Sequence, residues 1–198
     1  MHIILASGSP RRRELFSHLG LDFEIVIPHV DENPREGEHP EAFCARASRD
    51  KAMHVIQDHE DALVIAADTI VVVGGRILGK PGSIEEAEKF LILLKNTTHD
   101  VYTGYTIVNS QEIRTRAVRT QVHFKAMSAE EISWYVSTGE PMDKAGAYAV
   151  QGIGSVFIDR IEGSYTNVIG LPLSDLYYDL KAFGLKLKTI EHGRLLYG

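Results

Sequence analysis

The stretch Ser7-Gly8-Ser9-Pro10-Arg11-Arg12 places two hydroxyls and two guanidinium groups where a short apolar run, His2 to Ala6, meets a helical pattern. Backbone N–H groups and the helix dipole converge at such a junction and favour an anion. Arginine forks match phosphate oxygens, and serine hydroxyls add donors. Basic residues oppose the dipole in a first helical turn, so their presence there asks for an anion to offset them. The plain alternative is a turn followed by a solvated basic face, since the loop is no Walker sequence. Neither Ser7 nor Ser9 lies in a G-x-S-x-G elbow, which argues against a serine nucleophile.

The acids come next. Asp68 follows the apolar run Leu63-Val64-Ile65-Ala66-Ala67. A carboxylate at the C-terminal end of a strand faces the usual ligand crevice of an α/β sheet, although Asp also serves there as a simple turn residue. Asp31 and Glu32 adjoin in a polar loop. Adjacent acids are usually only solvated, yet Mg²⁺ commonly takes one or two carboxylates together with substrate phosphates. Lys80 sits in Leu78-Gly79-Lys80-Pro81, and Lys51 shares a helical segment with Arg46 and Arg49. Taken singly, both lysines read as surface residues. The nine histidines show no metal-ligand spacing.

The glycine-rich segment Gly146 to Gly154 lacks the G-x-G-x-x-G spacing of a dinucleotide fingerprint. Its Gln151 carries an amide, donor and acceptor in one plane, which can read the edge of a base. Bracing the loop is the bland alternative.

These groups need elements to hold them. Strand is expected over His2 to Ala6, helix over Arg11 to Leu19 and strand over Phe23 to Pro28. A loop then runs from His29 to Pro40, and a helix from Glu41 to Gln57. The Leu63 strand ends at Asp68-Thr69 in this reading, with Ile70 to Val73 extended and a hairpin at Gly74-Gly75. Ser83 with Glu86 and Ser128 with Glu131 have capping-box spacing. Val101 to Asn109 and Arg114 to Phe124 alternate as an antiparallel pair. The order implies α/β: a mixed β-sheet with flanking helices, and two lobes around a cleft. With no repeat and no linker, residues 1–198 read as a single domain.

Composition limits the partners. Net charge is −6, which disfavours nucleic-acid binding while leaving a small anion open. Apolar residues make up 44%, enough for a core, and no window reaches the length of a membrane span. The N-terminal apolar run precedes its arginines, the wrong order for a signal peptide. The single cysteine, Cys44, fits a reducing, cytoplasmic location and reads as a small buried hydrophobe.

Together the segments resemble the Maf family of nucleotide pyrophosphatases, whose fold is similar to that of the inosine triphosphate pyrophosphatases. The resemblance lies in Leu5 to Arg12, Ala66-Ala67-Asp68-Thr69, Gly79-Lys80-Pro81, Pro141 to Tyr148, and Gly163-Ser164-Tyr165 through Gly170-Leu171-Pro172. The tail from Lys186 to Gly198 matches nothing and receives no role. The resemblance implies a cut between the α- and β-phosphates with a divalent metal cofactor, Mg or Mn. It implies Asp68 as the catalytic proton acceptor and places Arg12, Glu32, Lys51 and Lys80 at phosphate- and metal-handling positions. Asp31 competes with Glu32 for that alignment. The family divides into a dTTP/UTP branch and a 7-methyl-GTP branch, separated at positions that map to Arg11, Thr69 and Gln151. Glutamine at 151 is similar to the pyrimidine branch: an amide can accept from N3–H and donate to a neighbouring carbonyl, whereas a carboxylate can only accept.

The implied mechanism has Glu32 and Asp68 as metal ligands and Ser7, Ser9, Arg12, Lys51 and Lys80 on the phosphates. Asp68 acts as base, ligand or both. The rival is a nucleotide-binding regulator of septum formation that performs no catalysis. A homodimer is left open.

Overall fold

One long strand organises the molecule. The structure, a computed structural model, describes residues 2–185; the tail from Lys186 lies outside them. Strand β1 spans His2–Ala6 and β3 spans Ala62–Val73, and they pair in parallel from His2↔Ala62 to Ala6↔Ala66. β1 stops there, while β3 continues for seven residues. On its other side β3 pairs antiparallel with β5 (Thr98–Val108), which pairs with β6 (Ile113–Phe124), which pairs with β7 (Ile158–Glu162). β2 (Glu24–Ile25) flanks β1, and β4 (Arg76–Leu78) turns back on β3 through Gly74-Gly75. Among the described residues these strands form one mixed seven-stranded sheet, as the sequence implies.

Side chains alternate across the pleat, so β3 serves two faces. Leu63, Ile65 and Ala67 pack with Leu5, Phe16, Leu176 and Leu180, under helices α1 (Pro10–Ser17) and α5 (Leu173–Ala182). On the other face, Val64 and Ala66 pack with Ala52 and Val55 of α2 (Pro40–Ile56). Beyond the midpoint the partners change. Val71 joins a core with Leu91, Leu94 and Tyr135 from α3 (Ile84–Leu94) and α4 (Ala129–Ser137), while Ile70 and Val72 meet Phe43, Cys44 and Ala47. Four apolar clusters thus meet in pairs at Asp68 and Thr69, one polar residue on each face. This junction is the floor of the cleft between two lobes.

The Asp68 strand differs from the expected one. β3 is continuous, so Asp68 stands in mid-strand. The crevice arises because its neighbour β1 ends at Ala6, leaving Asp68 beyond the last parallel pair. β2 is also shorter than expected, because it pairs with only Ile4 and Leu5 at the sheet edge.

Helix α2 buries Phe43, Cys44, Ala47, Ser48, Lys51, Ala52, Val55 and Ile56, a strict 3-4 stripe. Its small residues let it sit low on the sheet. A Cβ on Gly104 of β5 would fall 2.1 Å from the Cys44 carbonyl oxygen. Only glycine permits that approach, and Gly104 is the cross-strand partner of Asp68.

The capping boxes separate. In α4, Ser128 and Glu131 cap each other reciprocally. In α3, Ser83 caps the Glu86 N–H, but the Glu86 carboxylate reaches back to the Gly82 N–H instead. No helix among the described residues is long and apolar enough to cross a membrane.

Candidate active site

The cleft encloses about 770 Å³. Its wall includes Ser7, Ser9, Arg12, Glu32, Lys51, Asp68, Thr69 and Lys80. Eight of the residues singled out by sequence thus converge, from five separate segments.

Lys51 is the centre. It occupies a core position of the α2 stripe and is only 5% exposed, so its surface reading is overturned. Its Nζ donates to Asp68 Oδ1 at 2.6 Å and to Glu32 Oε2 at 2.7 Å. Asp68 is 7% exposed; Glu32 arrives from the solvent side. A lone lysine in an apolar stripe costs desolvation free energy that only close counter-charges offset. Asp31, the alternative acid, instead accepts from the Asn33 backbone N–H at 3.0 Å and side-chain amide at 2.7 Å, shaping the loop.

The serine–arginine loop is tied inward. Ser9 is the N-cap of α1, its hydroxyl accepting from the Arg12 N–H at 3.4 Å. Ser7, buried, accepts from the Ser9 N–H at 3.2 Å and from Arg12 Nη1 at 3.4 Å. Arg12 Nε donates to the Gly170 carbonyl at 2.8 Å, and its Nη2 to Thr69 Oγ1 at 2.9 Å. Thr69 in turn meets Thr103 Oγ1 at 3.0 Å. Burial pulls the Arg12 guanidinium below its ordinary pKa, while Asp68 and Glu32 push it back up. The group remains a cation, held short of water and aimed along the cleft floor. The first turn of α1 contains no acid, so its dipole and its arginines add to one positive end. Lys80, exposed in the loop after β4, also lines the cleft.

The remaining residues are placed differently. Arg11 donates from Nη1 to Asp143 Oδ2 at 3.3 Å across the cleft mouth. Gln151 is exposed and is not among the lining residues. Its segment is fastened by Glu140, which sequence reasoning passed over. Glu140 accepts from the Tyr135 hydroxyl at 2.8 Å, the Ile153 N–H at 2.8 Å and the Gly154 N–H at 2.9 Å. Burial alone would raise that carboxyl, but these donors outweigh it and bring it below its ordinary value. Gly152 lies so close that a Cβ would meet Glu140 Oε2 at 2.1 Å. Cys44 donates weakly to the Glu41 carbonyl at 3.3 Å, and burial pushes its thiol up to about 12, which leaves it unreactive.

A cleft lined by cations, with one carboxylate at its floor and a second reaching the same lysine from the solvent side, can bind a polyphosphate and direct a proton acceptor at one phosphorus. The comparisons agree in kind. The family model described as Maf-like protein matches residues 2–183. A dTTP/UTP pyrophosphatase of Syntrophus aciditrophicus is 50% identical, covering 97% of this chain and 95% of its own. One of Myxococcus xanthus is 48% identical, covering 93% and 94% respectively. The solved structure of the Staphylococcus aureus Ham1 protein aligns with a TM-score of 0.52 at 17% identity, covering 92% of this chain and all of that one, a likeness of fold.

Proposed function

The chain belongs to the Maf family, and from that premise we propose that it is a pyrophosphatase that hydrolyses dTTP and UTP to the monophosphate and pyrophosphate. One observation carries the proposal: buried Asp68 and Lys51, joined from the solvent side by Glu32, form a charge triad facing the anchored Arg12 loop. The dTTP/UTP choice rests on the relatives and on the amide at Gln151.

Two carboxylates reach one ammonium, so their oxygens are no farther apart than those two contacts laid end to end. That donor set fits a divalent cation, Mg²⁺ or Mn²⁺, completed by phosphates and water. Glu32 and Asp68 would hold it. When bound, it supplies Lewis-acid polarisation of phosphoryl oxygens and lowers the pKa of a water.

The chain's own residues do the rest. Arg12, fixed by Gly170 and Thr69, presents its fork to phosphate oxygens without further ordering. Lys80, from the loop after β4, meets the phosphate tail. Lys51 directs one oxygen of Asp68, and the other accepts a proton from the attacking water. A water-oxygen bond to the α-phosphorus forms as the bond to the bridging oxygen breaks, and pyrophosphate leaves with the electron pair. Arg12, Lys51 and Lys80 offset the charge gathered on the phosphoryl oxygens.

A non-catalytic regulator is not favoured, since a binder needs cations for phosphates but no carboxylate buried among them. We read residues 1–198 as one domain with this one function, carried by the stretch before Lys186, and assign its compartment to the cytoplasm on the strength of one buried cysteine. The test is a panel of dTTP, UTP, CTP, GTP and 7-methyl-GTP with Mg²⁺ or Mn²⁺, and with chelator. Pyrophosphate from dTTP and UTP, abolished by chelator, is the expected result. Orthophosphate alone, or preference for 7-methyl-GTP, contradicts the assignment.

A further inference from the structure

The loop that delivers Glu32 contains no helix or strand over residues 31–38, and Glu32 itself is exposed. Something else must hold it. Five residues before Lys51 on α2, Arg46 directs three hydrogen bonds to that loop. Nε donates to Glu38 Oε1 at 2.7 Å and Nη2 to Glu38 Oε2 at 2.7 Å, a parallel fork. Nη2 also donates to the carbonyl of Asn33, the residue directly after Glu32, at 3.0 Å. Nη1 reaches Asp50 Oδ2 at 3.2 Å, and the guanidinium lies over the Phe43 ring at 5.4 Å. Glu38 closes the circuit by accepting from the Arg35 N–H at 2.9 Å. The fork and that N–H hold the Glu38 carboxyl down at about 2.

We propose that Arg46, with Glu38, is a positioning pair for the hydrolytic reaction: it clamps residues 33–38 onto α2 so that Glu32 is presented to Lys51 and Asp68. The proposal rests on the pyrophosphatase reading for its kinetic consequence, not for its geometry. The same helix carries the clamp and Lys51, so the spacing between Glu32 and Asp68 is set by one rigid element. Neither Arg46 nor Glu38 lines the cleft; both act through Glu32.

The test compares Arg46→Ala, Glu38→Gln, Glu32→Gln and the double variant Arg46→Ala/Glu32→Gln. In pyrophosphate release, Arg46→Ala should lower kcat/KM by about ten- to hundredfold, as loss of a residue that orients a ligand commonly does. The double variant should be no slower than Glu32→Gln within about twofold, because Arg46 has no route to the reaction once Glu32 is neutral. Glu38→Gln, which retains the chain's bulk, should reproduce part of the Arg46→Ala loss at unchanged Tm. Two readouts do not need turnover. Amide exchange at Arg35 should accelerate by about tenfold in Arg46→Ala. Calorimetric binding of α,β-imido-dTTP should weaken in parallel. Losses that multiply in the double variant, or unchanged exchange at Arg35, would overturn the proposal. A wild type that releases no pyrophosphate defeats the pyrophosphatase reading instead, and the exchange arm then still decides the clamp.

Discussion

At the cleft floor, Asp68, Lys51 and Arg12 are held by neighbours at 2.6 to 2.9 Å, and the first two are almost sealed from solvent. In the segment from Glu140 to Gly154, the side chain proposed above to read the base is open. Gln151 is exposed, while the backbone beside it is fastened through Glu140 and Asp143 is held by Arg11. The floor is finished before substrate arrives. The segment proposed for recognition is braced from behind and leaves the Gln151 amide to make its contacts. Charge has to be preorganised, because reorienting dipoles during reaction costs the very stabilisation sought. A base edge can be matched on arrival, with a smaller return.

Four substitutions sharpen or break that contrast. Asp68→Asn should reduce pyrophosphate release by roughly 10³-fold while nucleotide binding largely survives, since the amide keeps the shape and loses the basicity. Near-native turnover would remove Asp68 from the chemistry. Lys51→Met should follow, with a loss of about 10²–10³-fold. The thioether fits the apolar stripe, but two carboxylates are left facing each other. Restoration of binding on adding Asp68→Asn would show that the loss is electrostatic; if the double variant binds nucleotide no better than Lys51→Met, repulsion is not the cause.

Gln151→Glu should be milder: about ten- to hundredfold in the ratio of kcat/KM for dTTP over 7-methyl-GTP, with kcat on the better substrate little changed. An unchanged ranking takes Gln151 out of base reading. A loss matching Asp68→Asn would abolish the proposed difference between the regions.

The smallest effect is thermal and acid-dependent. His99 meets the Tyr148 hydroxyl at 2.8 Å behind the recognition segment, and burial pushes its pKa down to about 4. The unfolded chain takes that proton near pH 6.5, the folded one only near 4. Stability is therefore complete above pH 6.5 and is lost as pH falls toward 4, by up to roughly 2–3 kcal/mol. His99→Phe should flatten the decline of Tm across that window. A decline identical to wild type would assign it to other groups.

The sequence disclosed the chemistry better than the geometry. Ser7 to Arg12 read as an anion site because arginines sat where a helix dipole resists them; Ser7, Ser9 and Arg12 line the cleft, while Arg11 turns to Asp143. Lys51 carried a signal that went unread. It interrupts the stripe of Phe43, Cys44, Ala47, Ser48, Ala52, Val55 and Ile56, and a charge in a core stripe needs a buried partner. Asp68 looked like a strand end because polarity breaks the apolar run. Only pairing reveals that the neighbour, not β3, is what ends. Glu38, Arg46 and Glu140 could not be separated from solvated charges, since their partners lie in a loop and a glycine-rich turn without periodicity. The exposure of Gln151 was equally hidden, because turn residues carry no inside-or-outside pattern.

The parallel pairing of β1 with β3 also bears on how the molecule assembles. Ala6 must find Ala66 before the cleft has a floor, and α2, which carries Lys51, lies in the intervening chain. Closing that loop is a long-range event, and such pairings are intrinsically slow. Helices can regain their signal early during refolding, with no arrangement of Glu32, Lys51 and Asp68 yet in existence. Turnover should thus return in the last kinetic phase after dilution from denaturant, making catalysis a late reporter of the native topology.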